Sequence, residues 1–164
     1  MILYHGSYAA IEKPDLAFSR LRTDFGRGFY LTPLREQAER WSQRYLRAGG
    51  DAVVSIYEFS AESGGSLPLD FTTLKFDAHD VGWLDFVTAC RLGKSADTGW
   101  DLVIGGVAND KVFDTLQLYF DGLVSAEEAI GRLRYSEPNL QYCFKSQSLI
   151  DGYIQFIGSE VTGR

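Results

Sequence analysis

Cysteine and histidine are scarce: 164 residues hold only Cys90, Cys143, His5 and His79. Two cysteines make no disulfide framework. The four side chains also lack the short spacing of a zinc cluster, so no metal is expected. No run of about 18 apolar residues exists, so neither a transmembrane helix nor a membrane partner is expected. The opening Met-Ile-Leu-Tyr-His lacks the basic and apolar regions of a signal peptide, and a cytoplasmic location is expected. A P-loop would need a Gly-Lys-Ser/Thr end, which is missing. The dinucleotide fingerprint is missing too, because Gly26-Arg27-Gly28 runs straight into the strand-like Phe29-Tyr30 instead of opening a helix. No repeat, linker or low-complexity tract divides the chain, which reads as one domain over residues 1–164.

What is present is apolar and aromatic. Hydrophobic residues make up 45%, with 11 Phe, 9 Tyr and 3 Trp, enough for a core without staples. The net charge of −6 is unevenly spread. Residues 1–47 carry eight Lys/Arg against five Asp/Glu, and the remainder eight against seventeen. The basic excess includes Arg20, Arg22, Arg27 and Arg35, around the glycine turn, where it suits either a phosphate or plain solvation. Overall acidity disfavours long duplex nucleic acid, while a local basic strip is compatible with a short strand.

Along the chain, Ile2–His5 reads as a first strand, and Lys13-Pro14-Asp15 as a turn in the polar loop that follows. Gly28–Leu31 reads as a second strand leading into a helix, with Thr32 as N-cap and Pro33 in the first helical position. Leu34, Ala38, Trp41 and Tyr45 follow at helical spacing up to Gly49-Gly50. Residues 53–59 alternate like a strand, and residues 60–79 are irregular. Asp80 caps a helix carrying Trp83, Leu84, Val87 and Cys90, and Asp101–Ile104 is a buried strand broken at Gly105-Gly106. A helix from about Asp110 stacks Val112, Phe113, Leu116 and Phe120. Ser125-Ala-Glu-Glu128 is a capping box for the next helix. Gln141–Phe144 and Tyr153–Ile157 are closing strands around a short helix. The β–turn–α order repeats too seldom for a Rossmann sheet, so the class is α+β. Cys90 and Cys143 fall on apolar faces and read as core.

The candidate site joins Leu3-Tyr4-His5-Gly6-Ser7 to Asp24-Phe-Gly-Arg-Gly-Phe-Tyr-Leu-Thr32. Glycines let a backbone come close to a ligand. An aromatic pair offers a flat face for a ring, and His5 a polar group at a strand end. Followed by Gly6, His5 suits a ribose hydroxyl, beside a bare backbone able to pair with a carboxamide. Either reading competes with a plain structural role, as does that of Asn109-Asp110, where Asp110 also suits a helix N-cap.

These residues carry a family resemblance. Tyr4-His5-Gly6-Ser7, Asp24–Thr32, Gln37-Ala38 with Trp41, Asp101–Asp110 and Gln141–Phe144, taken in order, resemble the ADP-ribosyltransferase superfamily. More narrowly, they resemble its bacterial branch, domain of unknown function 3990. The resemblance implies a split two-sheet core with flanking helices and NAD, as co-substrate, in the cleft between the sheets. It implies a mono-ADP-ribosyltransferase of toxin or effector type that releases nicotinamide, with an unknown protein or nucleic-acid acceptor and a small cognate antitoxin protein as partner. By the same resemblance His5 holds the nicotinamide-side ribose, Gly6 pairs with the carboxamide, and Tyr30 stacks on the ring, with Phe29 on the opposite face of its strand. Ser7, Arg27, Gly28 and Thr32 complete the binding set, Arg27 being the best placed for the pyrophosphate. Asn109 and Asp110 are additional candidates.

Gln141 stands where the superfamily has a catalytic Glu. An amide hydrogen-bonds a ribose hydroxyl but supplies neither negative charge nor a base. Activity is then slow, or another carboxylate such as Glu137 or Asp110 substitutes, or the fold binds NAD without turning it over. NAD glycohydrolysis, with water as acceptor, is a further alternative.

Overall fold

The computed structural model describes residues 1–60, 70–94, 99–108, 112–134 and 138–163, the side chains of residues 112 and 113 excepted. Among them are seven strands: β1 (Ile2–Ser7), β2 (Phe29–Leu31), β3 (Ala52–Phe59), β4 (Thr73–Lys75), β5 (Leu102–Gly105), β6 (Gln141–Phe144) and β7 (Ile154–Gly163). Five α-helices accompany them: α1 (Arg35–Ser42), α2 (Val81–Arg91), α3 (Val112–Phe120), α4 (Ala126–Leu133) and α5 (Gln147–Tyr153). The fold is α+β, with one sheet ordered β1-β3-β7 and another β2-β6-β5-β4. All pairings are antiparallel except β4 with β5.

Period-two alternation decides what each sheet face touches. Leu3, Tyr57 and Phe59 of the first sheet meet Phe29, Leu31, Leu102 and Phe144 of the second, with Leu149 and Ile150 of α5 closing that core. The next residues in register, Val103 and Cys143, face the other way, into a layer of Trp83, Leu84 and Val87 (α2), Leu116 (α3) and Ala129 and Leu133 (α4). α1 covers the outer face of the first sheet so closely that a Cβ on Gly6 would lie 2.1 Å from the Ala38 carbonyl oxygen. Both cysteines are buried and unbridged.

Helix punctuation follows side-chain chemistry. The Trp83 N–H donates to the Asp80 carboxylate (2.8 Å), and the Glu128 N–H to Ser125 Oγ (3.1 Å), so both expected caps form. Thr32 behaves differently. Its bridge to Tyr4 holds it extended, Thr32 Oγ1 accepts from the Leu34 N–H (3.0 Å), and the helix begins only at Arg35. That helix also stops at Ser42, short of Tyr45. A 3₁₀ turn over Leu46–Ala48 follows, ended by Gly49 at φ +78°. Trp41 faces solvent under the Arg44 guanidinium, 4.0 Å from the ring centroid, and does not join the buried stripe.

Several strands exceed what the pattern predicts; β1, for one, runs past its expected end at His5 to Ser7. β4 lies in the stretch that reads as irregular, because three residues at a sheet edge carry almost no periodic signal. β7 runs on to Gly163, since Gly158-Ser159-Glu160 is polar but pairs along β3, past two irregularities in register. Residues 109–111 and 135–137, hence Asn109, Asp110, Glu137 and the expected start of α3, lie outside the described residues.

Candidate functional site

Among the described residues one backbone bridge joins the two sheets. Tyr4 and Thr32 exchange both backbone hydrogen bonds, at 2.8 and 2.9 Å. Backbone groups alternate edges along a strand, so the N–H and C=O of Gly6 point to the same side as those of Tyr4, away from β3. Leu31 pairs with Tyr142, and one step further along that ladder Thr32 comes level with Gln141. His5, Gly6, Thr32 and Gln141 are thereby gathered around one sheet junction, although they span most of the sequence.

His5 is half-buried, with its ring against Phe29 (centroids 4.8 Å apart). Its Nδ1 lies 2.8 Å from the Tyr30 carbonyl oxygen, so Nδ1 carries the proton and donates it. Burial pushes the imidazole pKa below the usual histidine value, against the opposing pull of that hydrogen bond. The ring is therefore neutral near pH 7, and Nε2 is left as an acceptor for a hydroxyl.

Tyr30 and Phe29 point to opposite faces of β2, as the resemblance implies. Phe29 enters the core between the sheets, and Tyr30 packs half-buried on the helical side. The Tyr30 hydroxyl donates to the Gly26 carbonyl (2.7 Å), accepts from the Phe25 N–H (3.0 Å) and meets Thr23 Oγ1 at 2.8 Å. Burial raises its pKa well above the ordinary phenol value, with the neighbouring Cys143 adding to the effect, so it stays protonated. Gly26 takes φ +73°, and Lys145 Nζ donates to the Phe25 and Arg27 carbonyls at 2.7 and 2.6 Å. The glycine turn is thus braced from within.

The remaining expected residues are held in ways the sequence does not suggest. The Arg27 guanidinium donates twice to the Leu16 carbonyl, at 3.0 and 2.9 Å, and so ties down the 3₁₀ turn Leu16–Phe18. Arg35 is bound to Glu39 and Glu160. Ser7 closes a local turn onto Ala9. β6 by itself requires a glycine at position 28, where a Cβ would lie 2.3 Å from Cys143 Sγ and 2.9 Å from the Phe144 carbonyl oxygen.

Gln141 is buried at the start of β6, and its Nε2 donates to Asp24 Oδ2 (3.0 Å) and, at 3.4 Å, to the Gly106 carbonyl. Asp24 is buried as well. Arg91 donates to its Oδ1 through Nε (2.9 Å) and through a terminal nitrogen (2.5 Å), while the Ala108 N–H donates to Oδ2 (2.9 Å). Gln37 on α1 grips the chain next door: its carboxamide donates to the Leu140 carbonyl (3.0 Å) and accepts from the Leu140 N–H (3.1 Å). Beyond Gly106 an open groove is lined by Phe76, Asp77, His79, Pro138 and Asn139. His79 sits edge-on to Trp83 (centroids 4.3 Å apart), and burial lowers its pKa.

Asp24, Arg91, Gln37 and His79 have no assigned role in the sequence reading. Asp24 and Gln37 stand inside the motifs, and an acid opening an otherwise apolar and glycine-rich motif is the one available signal. Arg91 reads as an ordinary cation at a helix C-terminus. Among the described residues no group of three or more His, Cys, Asp or Glu side chains is placed to hold a metal, and no helix is long and apolar enough to cross a membrane.

The arrangement defines an α+β fold whose two sheets meet at a polar junction carrying a neutral imidazole, a backbone edge unpaired among the described residues, and a fixed carboxamide. The chain belongs to the family described as Protein of unknown function (DUF3990), whose model matches residues 1–156. No curated protein and no solved structure matches it.

Proposed function

We propose that this protein is an NAD-dependent mono-ADP-ribosyltransferase, with the nicotinamide riboside half of NAD seated at the sheet junction. The observation that carries the reading is the pairing of His5 with that junction. Nδ1 is committed to Tyr30, so Nε2 is an acceptor for a ribose hydroxyl. One residue on, the outward-facing N–H and C=O of Gly6 match the donor and acceptor of a carboxamide. Tyr30, its hydroxyl fixed by three partners, offers the edge of a held ring to the nicotinamide. The Gln141 carboxamide lies on the same strand face as Tyr30 and serves the hydroxyl next to the reacting carbon.

In the reaction the bond between nicotinamide and the ribose C1′ breaks, through a state with positive charge on the sugar. Its electron pair leaves with nicotinamide, and a nucleophile of a macromolecule or nucleobase attacks C1′ and loses a proton. An amide at position 141 supplies no compensating charge. Losing one aimed electrostatic contact commonly costs on the order of 10²–10³ in rate, so turnover is expected to be slow. Among the described residues Asp24 is the buried carboxylate beside Gln141, but Arg91 and Ala108 already occupy it. That favours a second reading, an NAD-binding module that signals through a partner.

The test is nicotinamide release from NAD by the purified protein, with and without cell protein and nucleic acid as acceptor, beside His5→Ala and Gln141→Ala. Acceptor-dependent release that falls in both variants supports the transferase. Release without acceptor makes it a glycohydrolase. NAD binding without release supports the binding module, and absence of both overturns the NAD reading.

A further inference from the structure

We propose that Asp24 is the positioning residue of this site: it fixes the Gln141 carboxamide with the nitrogen inward and Oε1 outward, and it is the reason position 141 holds Gln and not Glu. The catalytic consequence rests on the NAD reading above; the orientation itself does not.

A carboxylate only accepts hydrogen bonds. Asp24 receives four donors: two Arg91 nitrogens on Oδ1, and the Ala108 N–H and Gln141 Nε2 on Oδ2. The second contact of Gln141 Nε2, the Gly106 carbonyl, is also acceptor-only. A flipped carboxamide would set an oxygen against two oxygens, so chemistry allows one orientation. Oε1 is then the one polar atom of Gln141 directed away from this cluster, and it is the atom a ribose hydroxyl needs.

The same geometry excludes glutamate. A Glu carboxylate in place of the Gln141 amide would stand about 3 Å from the Asp24 carboxylate in a buried site, and such a pair keeps one proton. Arg91, the cation of the cluster among the described residues, is already engaged on Oδ1. The other titratable groups around it among the described residues are Tyr30 and Cys143 on the adjoining strands, and His79 and Arg134 beyond Gly106. None of these donates to Asp24 Oδ2. The acid of the site thus stands on the glycine turn, and an amide on β6 is its complement.

The test compares thermal stability against pH for the parent protein, Gln141→Glu and Asp24→Asn/Gln141→Glu. In Gln141→Glu the shared proton raises a folded-state carboxyl pKa above its unfolded value. Its Tm deficit against the parent is therefore small near pH 4 and grows as pH rises, to about 5–10 °C at pH 7. The double variant restores one acid beside one amide, so the growth of the deficit with pH largely disappears; Arg91 and the Ala108 N–H, facing an amide in place of an acid, keep a pH-independent remainder. A Gln141→Glu protein that tracks the parent from pH 4 to 7, or a double variant whose deficit grows with pH as steeply as that of the single, overturns the proposal.

A second measurement needs no variant. In NMR spectra of the parent protein, the Gln141 side-chain amide protons are expected to exchange slowly and to show contacts to the Ala108 amide proton. Fast exchange without such contacts overturns the orientation. On the NAD reading, Asp24→Asn and Gln141→Ala lower nicotinamide release by similar factors, the double variant falls no further, and KM for NAD changes less than kcat. Additive losses refute the positioning role. A parent protein without release refutes the NAD reading alone, and the pH series and the amide protons still decide this one.

Discussion

Gly6→Ala separates two accounts of one glycine. If Gly6 were bare only to admit a ligand, an added methyl would block that ligand and leave the fold intact. The structure places the new Cβ 2.1 Å from the Ala38 carbonyl oxygen and 2.9 Å from the Ser42 nitrogen, both main-chain atoms of α1. No rotamer relieves a clash with backbone, so α1 must back away by about 1 Å to reach normal contact distance. Overpacking of this kind costs about 1–3 kcal/mol, and a rigid helix puts this case at the upper end. For a chain of 164 residues, about 3 kcal/mol lowers Tm by about 6–12 °C. α1 also carries Gln37, whose carboxamide clamps Leu140 beside Gln141. Gly6→Ala should therefore speed hydrogen exchange at the Leu140 amide. Calorimetry and amide exchange read the two effects. A Tm within about 1 °C of the parent, with Leu140 exchange unchanged, would refute the packing argument.

Gly131 is the converse case: it lies within α4 with nothing within 4 Å of its would-be Cβ, so Gly131→Ala should raise stability by about 0.5–1 kcal/mol in a denaturant titration. Arg91→Met should lower it by about 3 kcal/mol in the same assay, because Asp24, 4% exposed, loses its cation; the 26% exposure of Arg91 keeps the loss at the low end of the range for broken buried pairs. Both histidines have folded pKa values below the unfolded value of about 6.5, so the unfolded chain takes up protons first on acidification. Stability should then be complete above about pH 6.5, fall as pH drops from there towards the folded values, and level off below them. His5→Gln and His79→Gln should each flatten part of that slope, and an unchanged slope in the double variant would contradict it.

Much of the fold was legible because its signals are local. Asp80 and Ser125 cap through their own side chains, and β3, β5 and β6 alternate into two cores. The misses come from distance. Thr32 has the chemistry of an N-cap, yet a bridge to Tyr4, 28 positions earlier, holds it in the strand. Gly6 and Gly28 were legible as places of close approach, but sequence cannot tell a ligand from a helix or a neighbouring strand. Arg27 sits between two glycines and suits a phosphate; the structure turns it onto the Leu16 carbonyl. Asp24 was hidden for the same reason, since its partners at 91, 108 and 141 are assembled only by folding. His5 was legible as a polar group on the first strand, but that strand runs past it to Ser7, and its bond to the Tyr30 carbonyl is assembled only by folding.

The central claim is that the sheet junction binds NAD through His5. Calorimetric titration of NAD into the purified protein tests it most directly, with His5→Ala, checked for a native circular dichroism spectrum, alongside. The account predicts one NAD per chain for the parent and no measurable binding for folded His5→Ala. A parent protein that takes up no NAD at millimolar concentration, or a His5→Ala variant that binds it equally well, would contradict it.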